Sequence, residues 1–136
     1  MSRPLPPSDQ LPYALYTAEQ VRALDRAAIA SGIPGTELME RAGQAAYGLL
    51  RERWPEARQI TLLCGAGNNG GDGYVLARLA RSDGLNARVL QLGDVERLGP
   101  DARTKLEAWL AMGGALEPFR ELPRSSDVIV DALLGI

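Results

Sequence analysis

The stretch Ile60-Thr-Leu-Leu-Cys-Gly-Ala-Gly-Asn-Asn-Gly-Gly-Asp-Gly-Tyr-Val75 decides the fold that this sequence predicts. Its first five residues form a short apolar run between polar residues, which is typical of a buried strand. Residues 65–73 are rich in glycine and polar residues and predict a loop, after which Val75, Leu76 and Leu79 have helical spacing. A strand, a glycine-rich loop and a helix in this order are typical of the first unit of a parallel α/β sheet.

The same alternation continues downstream. Residues 87–92 and 127–131 are predicted strands, and residues 101–112 are a predicted helix. The inward side chains of that helix are expected to be Leu106, Trp109 and Leu110. Strands and helices joined by short connections predict right-handed crossovers. We therefore predict an α/β, Rossmann-like three-layer fold with a mostly parallel central sheet and helices on both faces.

Two helices are predicted upstream of the first strand. The capping box Thr17-Ala-Glu-Gln20 begins one helix, which ends at Ser31-Gly32. The other helix follows Pro34 and ends before Pro55, and its predicted buried face is formed by Leu38, Ala42, Ala45 and Leu49. Gly43 and Gly48 lie inside it, and close helix packing is the favoured explanation over a direct ligand contact.

The composition excludes several classes of chemistry. The chain has 136 residues, of which 46% are hydrophobic and 24% charged, and these values predict one globular domain. There is no histidine, which removes Ser-His-Asp machinery and imidazole metal sites. Cys64 is the single cysteine, so no internal disulfide forms and a cytoplasmic location is the default. The single lysine, Lys105, is predicted to be a solvated surface residue.

The charge pattern and the N-terminus exclude some partners. The net charge is −2 with mixed signs, so the sequence shows no basic stripe for nucleic acid. No apolar run is long enough for a signal peptide or a membrane span. We predict residues 1–15 to be a flexible Pro-rich tail and residues 16–136 to be the domain.

The segment Gly65-Ala-Gly67-Asn-Asn-Gly70 matches the G-x-G-x-x-G pattern, in which backbone amides at a helix N-terminus hold a pyrophosphate. That pattern alone is weak evidence for a ligand site. Asn68, Asn69 and Asp72 add amide and carboxylate groups beyond what a plain phosphate loop needs. The segment therefore predicts a ligand site, although asparagines also occur in turns for conformational reasons.

Asp131 ends an otherwise apolar strand, where a carboxylate is costly unless it is paired, hydrogen-bonded or bound to a cation. If its strand neighbours the first strand, oxygens of Asn69 and Asp131 could share one hard cation. The structural alternative is that Asp131 caps the turn that follows. Cys64 is predicted to be a small core residue rather than a nucleophile.

The string from Gly65 to Val75, with Leu38-Met-Glu-Arg-Ala-Gly43 before it and Val130-Asp-Ala-Leu-Leu-Gly135 after it, resembles the NAD(P)HX epimerase family, the YjeF N-terminal domain. The resemblance runs from about Tyr16 to Ile136. It implies a Rossmann-like domain, commonly a homodimer, that interconverts the R and S forms of hydrated NADH and NADPH with potassium as its metal.

The resemblance also implies roles for particular residues. Asn68, Asn69, Gly70, Gly71 and Asp72 would bind the hydrated dinucleotide, and Gly135 and Ile136 would open a second ligand-binding loop. Asn69 and Asp131 would bind potassium. Asp131 is the first candidate for the acid and base that assist loss and return of water, and Asp72 is the second.

The sequence departs from the family at Ile136, where family members continue into a glycine-rich loop, a further aspartate and another potassium ligand. We therefore expect the 136 residues alone to be an inactive part of a longer chain. Many bacterial relatives are fused to an ADP-dependent dehydratase.

Two other functions compete with the epimerase. A non-catalytic dinucleotide-binding or scaffold module of the same fold is the alternative, but such domains tend to lose the polar loop residues. A dehydrogenase would want an acidic residue at the end of the second strand, whereas Asp94 lies beyond Gly93 in a loop.

Overall fold

The computed structural model describes residues 32–134. The predicted tail over residues 1–15 and the predicted helix from Thr17 to Ser31 lie outside this range. Gly32 lies within it and has a φ of +99°, a left-handed conformation that favours glycine.

The described chain contains three α-helices and four strands, which alternate as far as the third strand. Their bounds are α1 (Gly35–Arg53), β1 (Gln59–Cys64), α2 (Asn68–Ser82), β2 (Asn86–Gln91), α3 (Pro100–Ala111), β3 (Leu116–Pro118) and β4 (Val128–Ala132). A short 3-10 helix, Val95–Arg97, precedes α3. The predicted strands and the helix at 101–112 are confirmed to within a residue or so. The sequence pattern did not predict β3, because three residues that end in proline are too short to show a period of two.

The four strands form one parallel sheet in the order β3-β2-β1-β4. The strand β1 lies between β2 and β4, with Cys64 aligned to Gln91 on one side and to Ala132 on the other. All three of these residues therefore lie at the carboxyl edge of the sheet. The predicted α/β class with a parallel sheet is confirmed.

The three described helices lie on one face of this sheet. The steps from β1 to β2 and from β2 to β3 run in the same direction, so right-handed crossovers put α2 and α3 on the same side. The helix α2 lies against β1, β2 and β4, and α1 packs on both other helices. The largest fully buried side chains of the core between these layers are Trp109, Tyr74, Ile60, Leu62, Val75 and Val89.

The predicted buried face of α1 is wrong. The buried residues are Met39, Gly43 and Leu50, whereas Ala42 and Ala45 are exposed and Leu49 keeps 39% of its surface. Gly43 faces α2 at close range: a Cβ added at Gly43 would overlap the side chain of Val75. Leu110 of α3 is likewise exposed, against the prediction.

Lys105 is also not the solvated residue that the sequence predicted. Its side chain is only 13% exposed, and its Nζ lies 3.0 Å from Glu40 Oε1. Arg78 donates to the other oxygen of Glu40, so one carboxylate joins α1, α2 and α3. Burial tends to raise the pKa of Glu40, but the hydrogen bonds and charges of Lys105 and Arg78 outweigh it and hold the pKa below its ordinary value.

Candidate functional site at the carboxyl edge of the sheet

Main-chain hydrogen bonds join three strand ends at the carboxyl edge. The Gly65 N–H donates to the carbonyl of Ala132 over 2.9 Å, and the Leu92 N–H donates to the carbonyl of Cys64 over 2.8 Å. A Cβ at Gly65 would overlap the carbonyl oxygen of Leu133. The segment after β1 is therefore packed directly against the segment after β4.

The helix α2 begins earlier than predicted. Residues 65–73 were expected to be a loop, but the helix starts at Asn68 with Gly67 as its N-cap. Asn68, Asn69 and Gly70 thus form the first turn, whose N–H groups lie at the carboxyl edge of the sheet. A helix N-terminus with its positive dipole end is a general site for anionic groups such as a pyrophosphate.

The glycines of this turn allow close packing. A Cβ at Gly70 would overlap the carbonyl oxygen of Gly65, and one at Gly71 would overlap the sulfur of Met39. At Gly73 a Cβ would lie 2.6 Å from the sulfur of Cys64. These glycines therefore let the start of α2 lie directly against the end of β1 and against α1.

The predicted polar residues of this segment lie on the same end of α2. Asn68 is exposed, and Asn69 and Asp72 are half-buried, with Asp72 one turn beyond the asparagines. Gly135 and Ile136 lie outside the described residues.

Asp131 lies near the carboxyl end of β4, the strand beside β1. Its partner in β1 is Leu63, so the two strands are adjacent, as a shared cation site would require. The Asp131 side chain is exposed, and its Oδ1 accepts a hydrogen bond from the Leu133 N–H at 3.1 Å. The capping alternative is therefore observed. Because side chains alternate along a strand, Asp131 lies on the opposite face of the sheet from Ala132, whose side chain faces Gly73 of α2.

The donor set at these strand ends suits a hard cation. Asn69 offers an amide oxygen and Asp131 offers carboxylate oxygens, which are the ligand types that such cations take. Between residues 32 and 134 no group of three or more Cys, Asp or Glu side chains is placed to hold a metal ion.

Cys64 is a buried core residue, as predicted. Its side chain lies beneath Gly73, and burial raises the pKa of the thiol to about 12. A thiol that stays protonated is a poor nucleophile at neutral pH.

Gln91 is a site residue that the sequence pattern did not predict. It ends β2 and is half-buried. Its Oε1 accepts a hydrogen bond from the Tyr74 hydroxyl, and its Nε2 donates to the carbonyl of Gly65 over 3.3 Å and to that of Leu92 over 3.4 Å. No local sequence pattern distinguishes this glutamine from a solvated strand residue.

Asp94 caps its own turn by accepting a hydrogen bond from the Glu96 N–H at 2.9 Å. This carboxylate is thus used by the 3-10 helix rather than placed at the end of β2, where a dehydrogenase would hold ribose.

A separate surface cleft of about 370 Å³ lies near the amino edge of the sheet, with Trp54, Ala57 and Asp127 among its lining residues. It contains none of the predicted site residues.

These features define an α/β protein with a Rossmann-like parallel sheet and a glycine- and asparagine-rich helix start at its carboxyl edge. The chain belongs to the family described as YjeF-related protein N-terminus, whose model matches residues 35–136.

Similar proteins agree with this assignment. The chain is 50% identical to a bifunctional NAD(P)H-hydrate repair enzyme of Coxiella burnetii, covering 89% of this chain and 25% of that protein. It is 43% identical to an NAD(P)H-hydrate epimerase of Rhodobacter capsulatus, covering 90% of this chain and 62% of that one. The crystal structure of yeast ynu0 shares the fold with a TM-score of 0.75 at 20% identity, covering 90% of this chain and 57% of that one.

The chain thus spans between a quarter and about three fifths of the length of these relatives.

Among the helices that the structure describes, none combines the length and apolar character needed to cross a bilayer.

Proposed function

We propose that this chain is the epimerase part of an NAD(P)H-hydrate repair enzyme, which interconverts the R and S forms of hydrated NADH and NADPH. The observation that carries the proposal is the segment Asn68–Asp72, placed at the start of α2 at the carboxyl edge, in a chain whose curated relatives have epimerase and hydrate-repair names. A scaffold module would not need the polar groups of this segment.

In the proposed site, the N–H groups of Asn68 and Asn69 in the first turn of α2 bind the pyrophosphate of the hydrated dinucleotide. Asn68, Asn69, Gly70, Gly71 and Asp72 form this part of the site, and Gly135 and Ile136 begin a second binding loop. The buried Gly70 and Gly71 let the helix start pack against Gly65 and Met39, while the two asparagines and Asp72 offer side-chain hydrogen bonds.

The proposed chemistry needs one proton donor and acceptor. Inversion at the hydroxylated ring carbon proceeds by loss of hydroxide, assisted by the lone pair of the ring nitrogen, and by return of water on the other face. Asp131 gives a proton to the departing hydroxide and takes one from the returning water. Its exposed position supports this role, because a substrate can reach it. Asp72 is the second candidate.

We further propose that Asn69 and Asp131 hold a potassium ion through their side-chain oxygens. The ion would supply positive charge beside the bound dinucleotide. We also propose a cytoplasmic homodimer whose polypeptide continues into an ADP-dependent dehydratase domain. The bifunctional names of several relatives, of which this chain covers about a quarter, support the fused arrangement.

The test is chromatographic separation of R and S hydrated NADH after incubation with the full-length protein that contains this chain. We expect Asp131→Asn to lower kcat/KM by about 10²- to 10⁴-fold, the usual contribution of a general acid and base. Asp127→Asn is the matched control: Asp127 lies just before the same strand, near the opposite edge, where it accepts hydrogen bonds from the Arg58 and Gln59 N–H groups at 2.8 Å.

We expect the Asp127 variant to keep the wild-type rate. Absence of epimerisation by the wild-type protein would contradict the proposed function. An unchanged rate in Asp131→Asn, with an active wild type, would contradict only the role of Asp131.

A further inference from the structure

We infer that Gln91 is a positioning residue that holds the main chain between β1 and α2, and thereby sets the geometry of the dinucleotide site. The ligand in this inference rests on the proposed function. The contacts that support the role of Gln91 do not depend on the proposed function, because all of them lie within the described protein.

The segment that needs support is Gly65-Ala-Gly67. Glycine has more conformational freedom than any other residue, and the segment carries no side chain larger than a methyl group. Its own side chains therefore cannot fix the direction in which α2 begins. The carbonyl of Gly65 is nevertheless held closely, because the first turn of α2 packs on it at Gly70.

The end of β2 supplies the missing support. The Nε2 of Gln91 donates to the Gly65 carbonyl over 3.3 Å. Just beyond the strand, Gly93 has a φ of +92°. A Cβ added at Gly93 would lie 3.3 Å from the Cβ of Ala66. The end of β2 thus holds Gly65 by a hydrogen bond, and Gly93, which has no Cβ, leaves space for the methyl group of Ala66.

The chemistry of a carboxamide explains why the residue is glutamine. Its oxygen accepts from the Tyr74 hydroxyl, and its nitrogen donates to Gly65. Tyr74 is fully buried in α2, so the same side chain ties the segment to a fixed point in the helix that follows it. Glutamate has the same shape but, when ionised, only accepts.

This arrangement also explains what the end of β2 does in this protein. Dinucleotide-binding domains commonly place a ribose-binding carboxylate at this strand end. Here the Gln91 side chain is turned toward the segment after β1, and Asp94 caps the 3-10 helix. The strand end therefore supports the loop instead of contacting ribose.

The direct test is amide hydrogen exchange of the wild-type chain and of Gln91→Leu, Gln91→Glu and Gln59→Leu. Gln59→Leu is the matched control, because Gln59 begins β1 at the opposite edge and also makes a side-chain hydrogen bond between strands, accepting from Asn86 Nδ2 at 2.5 Å. We expect both Gln91 variants to speed exchange at Gly65 and Gly70, whose N–H groups bond to Ala132 and Gly67. Gln59→Leu should leave both amides unchanged.

Unchanged exchange at both amides in Gln91→Leu, or wild-type exchange in Gln91→Glu, would overturn the inference. If Gln91→Leu does not fold, Tyr74→Phe decides instead. That variant removes only the hydroxyl that holds the Gln91 oxygen, so we expect a smaller acceleration at the same two amides, and no acceleration would count against the role.

The functional test is steady-state epimerisation by the full-length protein. In the proposed function, the start of α2 binds the dinucleotide in the ground state and in the transition state alike, so disturbing its position should raise KM about three- to tenfold with kcat nearly unchanged. A fall in kcat with constant KM would overturn the inference. If the wild type shows no epimerisation, the proposed function fails, and the exchange result still decides the positioning role.

Discussion

Gly43 and Gly48 show how the role of a residue depends on its surroundings. Both lie in α1, and the sequence suggested close packing for both. The structure confirms this for Gly43, where a Cβ would overlap Val75, and contradicts it for Gly48, where a Cβ would have no neighbouring atom within 4 Å. The difference comes only from the position of each residue relative to α2.

The two glycines therefore predict opposite effects of the same substitution. We expect Gly48→Ala to raise the free energy of unfolding by about 0.5–1 kcal/mol, because alanine loses less backbone entropy in a helix. We expect Gly43→Ala to lower it by about 1–3 kcal/mol, because the added methyl group overpacks the contact with Val75. Urea unfolding of both variants measures the difference, and shifts of the same sign would show that α1 is packed differently.

The cluster formed by Glu40, Arg78 and Lys105 acts at the scale of whole elements. Each residue belongs to a different helix, and the two cations share the two oxygens of one carboxylate. The side chains are between 13% and 29% exposed, so water screens them less than an ordinary surface pair. The cluster therefore helps to hold α1 and α3 against α2, the helix that begins at the candidate site.

We expect Glu40→Gln to lower the free energy of unfolding by about 1–2 kcal/mol at neutral pH, the size of a hydrogen bond to a charged group. Glu37→Gln on the same helix is the control, since Glu37 pairs with the exposed Arg41 at 2.7 Å, and we expect a change within about 0.5 kcal/mol. Equal losses in the two variants would contradict the role of the cluster.

The stability that Glu40 contributes depends on pH. The folded pKa of Glu40 is below its ordinary value of 4.5, so its contribution is present above that value and is lost as the pH falls through the folded pKa. The stability difference between wild type and Glu40→Gln should therefore shrink in acid.

The whole molecule is organised around the centre of the sheet, where β1 is covered by α2. Two ionisable side chains, Cys64 and Tyr74, lie in this core, and burial raises the pKa of both. The folded protein therefore keeps both groups protonated, whereas the unfolded chain releases these protons near their ordinary values of 9.0 and 10.0.

We expect the free energy of unfolding to fall as the pH rises above about 9, because stability from a raised pKa is present below the unfolded pKa and lost above it. Urea unfolding between pH 8 and 11 measures the slope. In Cys64→Ala the slope should be shallower, although the variant is less stable overall because of the cavity. An equal slope in both proteins would mean that the Cys64 thiol ionises as readily in the folded protein as in the unfolded chain.

The sequence by itself determined the order of the main elements and the parallel α/β class. The apolar run of β1, the alternation of strands and helices, and the glycine stop at Gly84 are local patterns, and local backbone preferences suffice to predict them. The family could also be identified, because the asparagine- and glycine-rich segment after β1 is contiguous in the chain.

Only the tertiary structure decided which surfaces meet. The buried face of α1 is set by Gly43, which has no side chain for a periodic pattern to detect. Lys105 and Gln91 find their partners on other elements, 65 and 26 residues away along the chain. The sequence-based prediction assumed, without showing it, that the strand of Asp131 neighbours the first strand, and the structure shows that β4 pairs with β1. Periodicity reports which residues share a face of one element, whereas these contacts depend on the shape and spacing of several elements together.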